Sequence, residues 1–238
     1  MCTTNTCANC GKGEESSVDL KACTACKMVK YCNRDCQIAH RPQHKKACKK
    51  RAAEIHDEQI YKEPPPPEEC PICMLPLPHD PDLKAFYSCC GKNVCNGCIH
   101  AMAETSMEVC PFCKTPPSNS DEEELQRINK LMERGNAVAF YQLGGYYKDG
   151  INGMPQDQES INELWLKAGE LGSADAYFNL GIAYENGRGV AIDKKKAKHY
   201  YELAAMSGSA IARHNLGCME GVAGNHQRAY KHILIAAR

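Results

Sequence analysis

Residues 87–98 read YSCCGKNVCNGC, four cysteines within ten positions, two of them adjacent. Sulfurs this dense are either disulfide partners or metal ligands, and the flanking sequence chooses between the two. CPIC stands at 70–73 and CPFC at 110–113, so the crowded stretch lies between two C-x-x-C pairs. A pair of that spacing closes half of a zinc tetrahedron around a tight turn. In chain order, Cys70, Cys73, Cys89, Cys90, Cys95, Cys98, Cys110 and Cys113 supply eight sulfurs, enough for two ions.

The adjacent pair sets a geometric condition. Zn–S bonds of ~2.3 Å put two sulfurs of one tetrahedron roughly 3.8 Å apart, close to the ~3.8 Å between neighbouring Cα atoms. In an extended strand the two side chains point apart, so the chain must kink, and Gly91 makes a kink cheap. His100, just after Cys98, is the alternative to Cys89 as a ligand. His79, in a proline-rich loop, is further from the pattern.

The rest of the chain favours metal over disulfides. It has 238 residues, 17 cysteines, and 29 basic against 29 acidic residues. With no net charge, no global field selects nucleic acid or a membrane surface as partner. The start, MCTTNTCANCGKGEESS, lacks the apolar core of a signal peptide, and no run approaches the ~18 apolar residues of a spanning helix. These features predict a soluble intracellular protein, cytoplasmic or nuclear, whose thiols stay reduced. Every cysteine but Cys218 precedes residue 114. The front half is therefore metal-stapled, because units of ~40 residues bury too little surface to stand alone, and the back half must fold on an apolar core.

Prolines punctuate the chain at EPPPPEE (63–69), read as a stiff polar spacer, and at TPPSNSDEEE (115–124). Ser120 with Glu123 three residues on fits a capping box, so a helix is expected from there to Gly135. The predicted organisation is a finger at 1–52, a linker at 53–69, a second finger at 70–114, a linker and helix at 115–134, and helical repeats at 135–238. In class terms, small zinc-stapled α+β fingers precede an all-α solenoid.

The first part carries Cys7, Cys10, Cys23, Cys26, Cys32, Cys36, His44 and Cys48, four spaced pairs that imply two more ions. Spacing alone does not say which pairs join. The string CANC…CTAC…YCNRDC…HKKAC resembles the MYND finger over 7–48. That resemblance implies interleaving, with Cys7, Cys10, Cys32 and Cys36 at one ion and Cys23, Cys26, His44 and Cys48 at the other. His40, one helical turn before His44, is then a surface histidine, and Cys2 a tail thiol. The resemblance also implies protein partners, typically short proline-containing peptides. The basic run RPQHKKACKKR reads as the solvated face of a helix: the chain is neutral and no aromatics are interleaved with it, as nucleic-acid binding would require.

The C-P-x-C start, inner C-x-x-C and closing C-P-x-C resemble a RING domain over 70–114. By that resemblance Cys70, Cys73, Cys95 and Cys98 share one ion. The other falls to Cys110, Cys113, Cys90 and, in an all-cysteine variant lacking the usual histidine, Cys89; Ser88 would occupy the usual spacing for that third ligand. A RING implies a ubiquitin ligase (E3 transferase) with no covalent catalytic residue, which docks a ubiquitin-conjugating enzyme and ubiquitin. Ile72 and Pro111 match the docking groove, and Lys114 the cation after the last ligand. The competing reading is a non-catalytic adaptor.

The back half repeats itself. YQLGGYYKDG, FNLGIAYENG and HNLGCMEGVAG align Leu143, Leu180 and Leu216, and LGSADA aligns with SGSAIA. Small residues at helical spacing let paired helices approach closely, and each pair stacks on the next. The unit resembles Sel-1-like repeats, relatives of the tetratricopeptide family that act as scaffolds for partners. Three are visible, the third shortened. Tyr146, Tyr147, Trp165, Tyr184, Tyr200 and Tyr201 read as inter-helix packing and Cys218 as a small core residue. Ile233, Leu234 and Ile235 in HILIAAR leave an apolar end, which predicts self-association or a further capping segment.

Overall fold

The computed structural model describes residues 5–13, 19–78, 80, 83–104, 109–150 and 156–237. Cys2 and His79 lie outside them. Two compact units emerge, Met1–Lys62 and Glu63–Arg238.

In the first unit, β1 (Lys21–Ala22) pairs antiparallel with β2 (Lys30–Tyr31). The chain then enters α1 (Arg34–Ile60), capped by Asn33, whose side chain accepts the Cys36 N–H at 2.8 Å. This helix runs through 53–60, which the sequence reading assigns to a linker. The reason lies in RAAEIHDEQI, rich in good helix formers, where Arg51 also reaches Glu54 and Glu58 at 3.1 and 2.9 Å. The break comes only at the proline run.

The second unit opens with a hairpin of β3 (Lys84–Tyr87) and β4 (Lys92–Cys95), in register Lys84 to Cys95 and Tyr87 to Lys92, followed by α2 (Asn96–Glu104). Buried Cys70, Leu77 and Val94 form a small core here, closed by Tyr87, Ile99, Met102 and Phe112. Next, α3 (Asp121–Glu133) starts at Ser120, whose Oγ accepts the Glu123 N–H at 3.2 Å. The return bond of the capping box falls one residue early, from Asn119 N–H to the Glu123 carboxylate at 3.0 Å.

This helix is no spacer. Ile128 and Leu131 are buried with Ala139 and Leu143 of the next helix, and Phe86 of β3 packs on the same cluster. Ser88 and Ser118 both donate to the Glu124 carboxylate, at 2.7 and 2.8 Å. The segment 115–134 thus fastens the second finger to the helices that follow. Pro65–Pro67 line one wall of a groove whose other wall includes the turns at Leu171–Asp175 and Ser207–Ser209.

Three helix pairs complete the fold: α4 (Ala137–Asp149) with α5 (Gln158–Glu170), α6 (Ala174–Asn186) with α7 (Lys194–Met206), and α8 (Ala210–Val222) with α9 (His226–Ala236). The first helix of each pair is capped alike, with Asn136, Ser173 and Ser209 accepting the N–H of Ala139, Ala176 and Ala212 at 3.0–3.3 Å. The repeated glycine lets the partner helix lie against bare backbone. A Cβ on Gly144 would sit 2.6 Å from Trp165 Nε1, and one on Gly217 2.8 Å from Ile233 Cδ1. Between α8 and α9 the link shortens to 223–225, and no side chain caps α9.

The aromatics pack between helices, Tyr184 stacking on Tyr200 with centroids 5.3 Å apart. Cys218 departs from the sequence reading. It is exposed, because Leu216 and Gly217 take the inward face of α8, and its sulfur lies 3.9 Å from the His214 ring nitrogens. Among the described residues no helix is long and apolar enough to cross a membrane.

Candidate metal centres

Four knuckles of one design carry one pair of cysteines in each centre. After Cys7-x-x-Cys10, Cys23-x-x-Cys26, Cys70-x-x-Cys73 and Cys110-x-x-Cys113, the next residue adopts a left-handed backbone: Gly11, Lys27, Met74 and Lys114, with φ of 73, 57, 59 and 59°. Each returns its N–H to the carbonyl of the knuckle's first cysteine at 2.9–3.0 Å. Three of the four carry a Cβ, in a conformation that costs an L-residue ~1 kcal/mol or more. Only Gly11 is legible from residue type. Of the other ligands, Cys32 and Cys36 flank the cap of α1, His44 and Cys48 stand within that helix, Cys89 and Cys90 lie in the turn between β3 and β4, and Cys95 and Cys98 span the entry to α2.

The donor atoms gather into four sets: Cys7, Cys10, Cys32 and Cys36; Cys23, Cys26, His44 and Cys48; Cys70, Cys73, Cys95 and Cys98; and Cys89, Cys90, Cys110 and Cys113. Within each set every pair of ligand atoms lies within 4.8 Å. In both fingers the first pair of cysteines joins the third pair of ligands, and the second joins the fourth. Sulfur separations of 3.7 Å (Cys10–Cys32), 3.8 Å (Cys23–Cys48), 3.8 Å (Cys73–Cys95) and 3.7 Å (Cys90–Cys110) are too long for a disulfide at ~2.05 Å. They match the ~3.8 Å edge of a zinc–thiolate tetrahedron. The donor sets therefore fit zinc.

Charge makes the same point. Burial would raise the Cys7 thiol, yet N–H groups of Cys10, Cys32 and Asn9 bring it down to about 6. Thr115 similarly brings Cys113 to about 6. Their neighbours move the other way. Cys32 is pushed up to about 12, first by its hydrogen bond with Cys36, and Cys98 to about 12 by burial and then by Cys95. Burial and then the Cys113 hydrogen bond raise Cys89. A thiolate that forms readily thus sits beside a thiol that keeps its proton, Cys7 with Cys32 and Cys113 with Cys89, and ionising both members calls for a cation at the centre.

The adjacent pair converges because the chain turns at 88–91: the N–H groups of Cys90 and Gly91 both reach the Tyr87 carbonyl, at 3.1 and 2.7 Å. Ser88 turns away to Glu124. His100 is exposed on α2 and belongs to none of the four sets. In the first finger, His40 is half-buried where the sequence reading has a surface residue. Its Nδ1 lies 3.0 Å from the Tyr31 hydroxyl, and its ring stacks 5.6 Å from His44, propping that ring toward Cys26, 3.2 Å from Nε2. A neighbour that fixes a ligand's orientation tunes the site. The traces of this arrangement in the sequence are His40 one helical turn before His44 and Tyr31 directly before Cys32.

Around the second finger, Ile72, Met74 and Leu75 are exposed at the first knuckle, and Pro111 is half-buried and Lys114 exposed at the last.

Two modules define the class: residues 7–48 match the MYND finger family, and 137–173, 174–209 and 210–238 match the Sel1 repeat. The chain thus carries a zinc finger of MYND type and a three-repeat Sel1 helical solenoid. Residues 70–113 lie outside these matches and stand on their geometry. Among curated proteins, the chain is similar to the ERAD-associated E3 ubiquitin-protein ligase component HRD3B of Arabidopsis thaliana, 29% identical over 102 residues. It also resembles protein sel-1 homolog 2 of Homo sapiens, 37% identical over 79 residues. These alignments cover 42% and 33% of this chain but only 15% and 12% of those relatives. A solved Sel1 repeat protein from Oxalobacter formigenes is 26% identical with a TM-score of 0.46, covering 51% of each chain.

Proposed function

We propose that the protein is a zinc-dependent scaffold for protein–protein interaction, in which the first finger and the Sel1 repeats each hold a partner while the second finger is mounted on the repeats. The observation that carries this reading is the set of four tetrahedron-sized donor clusters. Four ions would be held by fifteen cysteines and His44, leaving each small finger rigid enough to present a surface. The chain would work in the cytoplasm or nucleus, where free thiols persist. The test is capture of partners by the zinc-loaded chain against the same chain stripped by a chelator. Equal capture would refute a zinc-dependent scaffold.

A second reading assigns ubiquitin-ligase activity to the second finger as a RING. It is favoured by the interleaved order of its two donor sets, by Ile72, which is 40% accessible on the first knuckle, and by half-buried Pro111 on the last. An apolar patch on a zinc-fixed knuckle is a surface on which a conjugating enzyme could seat and be positioned for transfer. An autoubiquitination assay over a panel of conjugating enzymes decides. Ile72→Ala should abolish chain formation with zinc content unchanged, and Lys114→Gly should weaken it while relaxing the knuckle. No activity with any conjugating enzyme, or activity indifferent to Ile72, leaves the scaffold without an enzyme.

A further inference from the structure

The first finger holds a cleft of about 490 Å³ between α1 and the knuckle at Cys23. Arg34, Arg41, Lys45 and Lys49 line it along one face of α1, with Ile38 and Ala25 between them. Their spacing of seven, four and four residues keeps all four on that face, so the basic run is sorted by the helix and not merely solvated. Among the described residues no carboxylate lines the cleft. None of the four cations makes a hydrogen bond or ion pair among the described residues. The contrast lies on the same helix, where Arg51 finds two glutamates. Four unpaired cations beside an apolar floor, with Ile38 57% exposed, describe a binding surface lacking its counter-charge.

The geometry points to an acidic peptide with an apolar anchor as the occupant of this cleft. The inference rests on reading the first finger as a peptide-docking module and adds the charge of what it selects. The helix rises ~1.5 Å per residue, so Arg34 to Lys49 spans ~22 Å, the length of about seven residues of extended polyproline-type peptide. An apolar side chain would cover Ile38 and Ala25, and carboxylates on either side would meet the cations. A peptide is favoured over nucleic acid because single strands are gripped by stacking aromatics. Among the described residues the tyrosine lining this cleft, Tyr31, is buried, its hydroxyl engaged with His40.

The experiment uses the full zinc-loaded chain and fluorescence anisotropy with labelled probes: a proline–leucine peptide flanked by glutamates, the same peptide with glutamines, a duplex DNA and a single-stranded RNA. The glutamate peptide should bind roughly tenfold more tightly than the glutamine peptide at about 50 mM salt, as four exposed charge pairs of about twofold each imply. The gap should close near 0.5 M salt, where the screening length falls to about 4 Å. Arg41→Glu with Lys45→Glu should reverse the preference. Neither is a ligand, and the wild-type comparison stands even if that variant loses zinc. Equal binding of the two peptides overturns the inference while leaving peptide docking intact. Binding of neither refutes the docking reading and the inference with it. DNA or RNA binding more tightly than the glutamate peptide also overturns it.

Discussion

Gly91→Ala tests whether the second finger and the repeats stand or fall together. Gly91 closes the turn that brings Cys89 and Cys90 to one centre, with φ of 74°. A Cβ there would lie 2.5 Å from Asn136 Nδ2 and 3.3 Å from Leu131 Cδ2. The left-handed backbone costs alanine about 1 kcal/mol. Displacing Asn136 gives up the cap of α4, where its Oδ1 accepts the Ala139 N–H at 3.0 Å, for about 1 kcal/mol more. Crowding Leu131 adds about 1 kcal/mol. The total of about 3 kcal/mol should lower the unfolding midpoint of this unit by roughly 6–12 °C. Trp165, the chain's single tryptophan, reports the repeats, and a chromogenic chelator reports zinc release. Both signals should shift together. Gly97→Ala is the control: among the described residues a Cβ there meets nothing within 4 Å, and the helical alanine should stabilise by about 0.5–1 kcal/mol. The Gly91→Ala, Asn136→Ala double variant should lose about 1 kcal/mol less than the sum of the singles. A Gly91→Ala midpoint within a degree of wild type, or strict additivity, would refute the reasoning.

Native mass spectrometry should find four zinc ions per chain; Cys89→Ser should release one and His100→Ala none, and the reverse would hand that site to His100. Glu220 is buried on α8, where Lys198, Asn225 and Arg228 lie 2.6, 2.8 and 3.5 Å from its carboxylate oxygens; burial alone would raise its acid, but Lys198 and Asn225 hold it below the usual range. A folded value below the unfolded one contributes stability above the unfolded value that is lost as pH falls through the folded one. Glu220→Gln should therefore cost about 2 kcal/mol at pH 7 and progressively less as pH falls through the ordinary glutamate range toward the lowered folded value, measured by urea titration of Trp165 fluorescence; a gap constant with pH would count against it. Leu234, 44% exposed on α9 beside Ile233 at 40%, should support self-association of the full chain in ultracentrifugation that Leu234→Lys removes. A monomer at high concentration before the substitution would dispose of that expectation.

The donor clusters were legible because cysteine spacing is a one-dimensional record of a local turn: five C-x-x-C pairs, Cys32 with Cys36, the adjacent Cys89 and Cys90, and His44 four residues before Cys48 name the atoms that gather. The repeats were legible for the same reason, since Leu-Gly recurs with its packing role intact. What escaped the sequence depends on contacts between distant segments. The helix in SDEEELQRINKLME is legible from its cap, but nothing there says that Ile128 and Leu131 will meet Phe86, so its role as a fastening to the second finger is not. Lys27, Met74 and Lys114 carry no mark of a left-handed backbone, because the knuckle imposes it. The lysines and arginines of α1 look like one solvated run until the 3.6-residue turn sorts them into a cleft and a free face. Cys218 was misread because its neighbours, not its own chemistry, decide which side of α8 it faces.

The packing of Phe86 and Ser88 onto α3 and of Gly91 against Asn136 has a consequence for how partners would meet. A finger on a flexible tether explores many orientations, and the gain from holding two partners falls off as the tether lengthens. Here the finger is packed onto α3 and the start of α4, so a molecule seated on the repeats and another on the zinc knuckles would be held at a separation set by the fold. Encounter between them would then depend on whether their reactive groups fit that one span, and the Sel1 array would act as a gauge that selects cargo by size and attachment point as well as by affinity.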